Sequence, residues 1–155
     1  MNKLEKKYLN ILESSKKHII FEGWNNNVFN LVAKDLKILV EDINLLFPNG
    51  YKDLLKVYLN STEIKMFEST KKLDLIHLRT QEKIFEIIKM RLILNNREKE
   101  LIRRTFHTLL LPQNSIIATT SLYQTVDNIW YIAGDNSTDF NFYTKRCFIC
   151  AVLKL

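Results

Sequence analysis

The stretch QNSIIATTSLYQTVDNIWYIAGDNSTDFNFYTKR, residues 113–146, decides how the rest of the chain is read. It follows Pro112, and Asn114 or Ser115 can cap the free amides of a helix that starts there. Gly134 ends the run, so the pattern predicts a helix over 113–134. Along it Leu122, Val126, Ile129 and Ala133 keep the i, i+4, i+7, i+11 spacing of one apolar face. Tyr123, Asp127, Trp130 and Gly134 repeat that spacing one residue later, as a second stripe roughly 100° around the helix. Two arrangements satisfy the spacing: one stripe faces the core and the other looks outward, or both are buried.

After Gly134 the chain turns polar. Asp135 suits a loop, Ser137 or Thr138 suits the N-cap of a following helix, and Asp139 would meet the positive end of its dipole. Capping chemistry leaves Trp130, Tyr131, Phe140, Phe142 and Tyr143 unexplained on either side of the turn. Aromatics with a polar end, mixed with Asp and Arg, are favoured at protein–protein anchor sites because they bury large areas at little rotamer cost. The stripe and turn therefore read as a docking patch.

Outward from this stretch the chain is helical in pattern. Residues 3–22 put Leu4, Tyr8, Ile11, Leu12 and Ile19 on one face and lysines on the other, and Gly23 stops that helix. Asn25 can cap a second helix carrying Val28, Phe29, Leu31, Val32 and Leu36. A short third element from Glu41 to Phe47 breaks at Pro48-Asn49-Gly50. A fourth helix is predicted from about Tyr51 through Leu75. Residues 81–94 are apolar on more than one side, which predicts a central helix broken by Asn95-Asn96. Arg97 to Leu111 reads as a further helix closed by Pro112.

Only three glycines and two prolines occur in 155 residues, which favours an all-α fold over turn-rich β architecture. That length fits one domain, and no repeat or low-complexity linker divides it. No apolar run of 18 or more residues is present, so a membrane span is not expected. The N-terminus has acidic residues and no apolar signal core, which argues against a secretory signal or mitochondrial presequence and favours the bacterial cytoplasm. A net charge of +6 is spread along the chain, compatible with a basic surface or an anionic membrane.

Chemistry-bearing groups are sparse. Cys147 and Cys150 have redox-pair spacing but lie in an apolar helical stretch without a setting that lowers thiol pKa, which favours two core cysteines. His18, His77 and His107 have no carboxylate or second histidine at metal-ligand spacing. Neither a phosphate-binding glycine loop nor a nucleophile motif is present. The expectation is no catalytic residue, no metal site and no cofactor.

One long helix followed by two short ones outlines a helix-turn-helix. A DNA reader would place Arg, Lys, Asn or Gln of the third element in the major groove. Here Glu41 and Asp42 would face a polyanion, and only Asn44 suits base reading. Lys34, Lys37 and Lys52 do not reverse that, so no nucleic-acid partner is expected.

The motifs D-x-x-W at 127–130, A-G-D-x-S-T-D-F-N at 133–141 and Y-T-K-R at 143–146 resemble the signature of the ubiquinone (coenzyme Q) biosynthesis accessory family. Gly23-Trp24, Leu46-Phe47-Pro48-Asn49-Gly50 and Leu109 to Asn114 resemble further family motifs, extending the likeness over most of the chain. The resemblance implies a TetR-like helical bundle with a degenerate helix-turn-helix over about 1–50 and a lipid-binding part over about 51–155, in one domain. It implies a non-catalytic protein that binds an isoprenoid quinone lipid and presents it to the di-iron demethoxyubiquinone hydroxylase. Phe85, Ile88, Leu92, Leu122, Val126 and Ile129, an apolar surplus beyond what one face needs, are the candidate lipid contacts. Asp127, Trp130, Tyr131, Asp135 and Tyr143 are the candidate hydroxylase contacts. Family members continue past Y-T-K-R into an amphipathic helix that lies on the membrane. The chain thus reads as shortened at its C-terminus, leaving weak attachment to the bacterial inner membrane and room for a homodimer. The alternatives are a TetR-type ligand-responsive regulator and a helical interaction module without a ligand.

Overall fold

The computed structural model describes residues 3–134, and they are all-α, as the glycine- and proline-poor sequence predicts. Seven α-helices occur in the order α1 (Lys3–Glu22), α2 (Asn27–Leu36), α3 (Val40–Leu46), α4 (Tyr51–Thr70), α5 (Thr80–Arg97), α6 (Lys99–Leu109) and α7 (Ser115–Ala133), with a 3₁₀ turn over Pro112–Asn114 before α7. No strand occurs among the described residues.

The expected helix ends are built as the sequence implies. Gly23 and Gly134 adopt φ of +75° and +83°, the left-handed conformation that closes α1 and α7. Asn25 accepts the Asn27 amide at 2.8 Å and donates to the Glu22 carbonyl at 2.8 Å, joining one helix end to the next helix start. Asn114, by contrast, is buried in the 3₁₀ turn and donates to the Thr108 carbonyl at 2.9 Å instead of capping α7.

The described helices group into two compact units. The first contains Met1–Ser61 and Glu98–Ser115. The second contains Thr62–Arg97 and the described part of Ile116–Leu155. α6 groups with the first unit because it is amphipathic and docks on α1. Trp24 donates its indole N–H to Thr105 at 3.1 Å, and Arg104 Nε reaches the Ile20 carbonyl at 3.1 Å.

In the first unit Ile11, Leu12, Ile19, Val28, Phe29, Val32, Ile43, Phe47, Leu54, Leu55, Tyr58 and Leu101 are buried. The rings of Trp24 and Tyr58 lie 5.6 Å apart, as do those of Phe29 and Phe47, within the range where aromatic pairs add to area burial. Gly50, at φ +62°, closes the turn before α4; a Cβ there would come 2.3 Å from Asn26 Oδ1. That same oxygen accepts the Tyr51 amide at 2.9 Å, so only glycine lets Asn26 cap α4 from outside. Burial opposes ionisation of Asp53, but the Asn49 backbone and side-chain N–H groups and Lys56 outweigh it and lower its pKa.

In the second unit Met66, Ile87, Val126, Ile129, Trp130 and Ala133 form the core, with Ile84, Ile88 and Leu122 partly buried against it. Among the described residues α5 buries one face against this core. Ile87 is buried there, whereas Phe85, Leu92 and Ile93 are exposed, because composition alone does not say which of several apolar faces meets a neighbour.

Candidate functional site

The inner stripe of α7 faces the core as its spacing predicts: Val126, Ile129 and Ala133 are buried and Leu122 packs at the edge. The second stripe divides. Trp130 is 7% exposed and belongs to the core, while Tyr123 is 50% and Tyr131 72% exposed. Helical geometry explains the split. At about 100° per residue Trp130 lies roughly 40° from Val126, on the inner edge of its stripe, whereas Asp127 lies about 100° and Tyr131 about 140° away. The outward face of α7 is therefore led by Tyr123 and Tyr131, flanked by half-buried Asp127. Asp135 and Tyr143, and the Cys147 and Cys150 pair, lie outside the described residues.

The candidate lipid contacts are not gathered around one enclosed space. Val126 and Ile129 are fully buried and Ile88 and Leu122 are partly so, but Phe85 and Leu92 are 64% and 59% exposed. With Ile93, Ile64 and Phe67, they leave α5 and α4 of this unit with large apolar side chains in solvent.

Sequence reasoning missed a polar node inside this unit. Glu63 of α4 is buried. Its Oε1 accepts from Arg91 Nη1 of α5 at 2.6 Å and from Thr125 Oγ1 of α7 at 2.7 Å. Its Oε2 accepts from Asn128 Nδ2 of α7 at 2.9 Å, and Arg91 Nη2 also donates to Thr125 Oγ1 at 3.2 Å. Nothing in the sequence marks Glu63, since its partners lie 28, 62 and 65 residues away.

Elsewhere the titratable groups serve structure. In the first unit Asp35 binds Lys17 at 2.8 Å and His18 Nε2 at 2.6 Å, which pulls its carboxyl down to about 2. The fold thus supplies His18 with a carboxylate that its sequence neighbours do not offer. A recess of about 360 Å³ in the same unit is lined by Asn26, Asn27, Asn30 and Asn44 above Phe29 and Phe47. Among the described residues no three His, Cys, Asp or Glu side chains gather to hold a metal, and no helix is long and apolar enough to cross a membrane. On α3, Glu41 and Asp42 are exposed in the first turn, the wrong charge to present to DNA phosphates.

The model of the COQ9 family matches residues 117–154, which is α7 and the stretch that follows it. A Dictyostelium discoideum protein named "Probable ubiquinone biosynthesis protein coq9, mitochondrial" is 30% identical over 158 residues, covering 93% of this chain and 49% of the relative. The chain is thus similar to COQ9 proteins over most of its own length. Rat COQ9 is 45% identical over 49 residues, covering 32% of this chain and 16% of the relative, and COQ9-A of Xenopus laevis is 26% identical over 149 residues, covering 92% and 47%. The chain spans about half the length of the curated COQ9 relatives that it matches over most of its own length. These relatives are named as mitochondrial proteins of eukaryotes, which overturns the bacterial cytoplasm expected from the N-terminal residues. A presequence argument reads only the first residues of the sequence at hand, and that is no guide where relatives are twice as long.

Proposed function

We propose that this chain is a non-catalytic accessory protein of mitochondrial ubiquinone biosynthesis, which holds a polyprenylated quinone intermediate on the apolar helices of its second unit and docks on demethoxyubiquinone hydroxylase through the outer face of α7. One observation carries the docking half: the family match begins within α7 and runs on past it, and the outward side of that helix exposes Tyr123 and Tyr131 beside Asp127. The lipid half is supported by Phe85 and Leu92, whose exposure next to partly buried Ile88 offers apolar area to a ligand. A carrier is physically useful here because each CH₂ of a polyprenyl chain moved into water costs about 0.8 kcal/mol. Contact with an anionic membrane surface would draw on the basic charge and weaken with salt.

Mass spectrometry of lipids extracted from protein purified out of a quinone-producing host tests the first half. An isoprenoid quinone or its precursor is expected, with less of it on Leu92→Trp at unchanged helical circular dichroism; lipid-free wild-type protein would sink the reading. Capture of the hydroxylase tests the second, and Tyr131→Ala is expected to weaken it more than tenfold. Equal capture by wild type and variant would remove α7 as the docking face.

A further inference from the structure

Among the described residues of the second unit, the Glu63 node is a buried cluster of charged and polar side chains that the proposed function leaves unused. Glu63 is 7% exposed and cannot touch a partner, and its carboxylate is occupied by three donors from two other helices. Nor is it explained as a source of stability. Replacing a buried ion pair by apolar side chains of similar volume is often neutral or stabilising, and its best attested use is to fix register. The apolar partners Met66, Ile87, Val126 and Ile129 have no such directional demand.

We infer that Glu63 is a positioning residue: through Thr125 and Asn128 it sets the rotation and axial register of α7, and so determines how Tyr123, Asp127 and Tyr131 are presented. Thr125 and Asn128 are three residues apart, about 4.5 Å along the helix axis, and each delivers its hydrogen bond to a different oxygen of one carboxylate. Two anchors at different heights on one rigid group fix both the turn and the slide of α7. Asp127 lies between them in sequence and Tyr131 one turn after Asn128. Arg91 closes the arrangement by donating to both Glu63 and Thr125, and its Nη1 also approaches the Met66 sulfur at 3.3 Å. The importance of this register for binding rests on the docking reading above; the register itself does not.

The experiment uses the full chain labelled with 5-fluorotryptophan, whose Trp130 resonance is assigned by Trp130→Phe, alongside hydroxylase affinity and thermal melting. Glu63→Leu/Arg91→Met keeps the volume and removes the polar bonds. It is expected to melt within a few degrees of wild type, to shift or split the Trp130 resonance, and to bind hydroxylase at least tenfold more weakly. Asn128→Ala, at a half-buried position, removes one anchor with little risk to folding and is expected to move the resonance and the affinity in the same directions by less. A single unshifted Trp130 resonance in both variants would overturn the inference. So would a moved resonance with wild-type affinity, which would leave a register device without a role in presentation. If wild-type protein fails to bind hydroxylase, the docking reading falls, and the Trp130 resonance alone decides whether the node sets α7.

Discussion

The two units of this chain use similar residues to different ends. In the first, Leu12, Val32, Leu55 and Tyr58 are essentially without solvent contact, and aromatic pairs tie the short helices α2 and α3 to their neighbours. In the second, the core among the described residues is small, a buried ion pair runs beside it, and Ile64, Phe67, Phe85, Leu92 and Tyr131 are left in solvent. Exposure does not separate the units, since Phe21, Leu39, Leu45 and Leu110 of the first are equally exposed; what differs is the interior, packed with aromatic pairs in one and crossed by a buried ion pair in the other.

The sharpest way to break this contrast is to truncate one large side chain in each unit. Phe29→Ala, in the first unit, is expected to lose about 3–5 kcal/mol in urea unfolding, while Phe85→Ala is expected to stay within about 0.5 kcal/mol of wild type. Comparable losses would mean that Phe85 is covered. Gly50→Ala comes next. Its positive φ and the clash with Asn26 predict a loss on the order of 1–3 kcal/mol, larger than for Gly23→Ala, where a Cβ meets nothing within 4 Å. Equal losses at the two glycines would mean that Asn26 gives way.

Tyr131→Ala should change stability by less than about 0.5 kcal/mol, since the side chain is exposed, while weakening hydroxylase capture as stated above. A large fall in melting temperature would reassign it to structure. The smallest effect is acid sensitivity of the first unit. The folded pKa of Asp35 is depressed to about 2, first by Lys17 and then by His18, so the contribution of this pair is present above the ordinary carboxylate value of 3.8 and is lost as pH falls from about 4 toward 2. Asp53, also depressed, acts in the same direction. An acid titration of wild type against Asp35→Asn should show the variant losing less stability over that window; parallel curves would remove the pair from the account.

Much of this architecture is legible in the sequence because it depends on local periodicity. The inner stripe of α7, the stops at Gly23 and Gly134, and the long-short-short order of α1 to α3 all follow from spacing and turn chemistry. The boundary between α5 and α6 falls at Glu98, not at Asn95-Asn96, because asparagines weaken a helix without ending it. What spacing could not decide was sidedness. Trp130 lies at the margin between two stripes, and α5 is apolar over more of its circumference than any one neighbour covers. Glu63 and Arg91 were illegible for another reason: each looks like an ordinary helical surface charge until a tertiary contact brings them together.

The first unit is discontinuous in sequence, with all of Thr62–Arg97 lying between its two segments. During synthesis at about 5–20 residues per second, α6 leaves the ribosome on the order of seconds after Ser61. Throughout that interval Trp24 has no Thr105 to receive its indole N–H, and the Ile20 carbonyl has no Arg104. The nascent chain therefore carries its scaffold unfinished while α5 is already made, and the unit closes only when a loop of that length is drawn shut, at an entropic cost that grows slowly with length. A chain stopped at Arg97 should expose apolar surface to the dye ANS, and one continued through Ser115 should hide much of it.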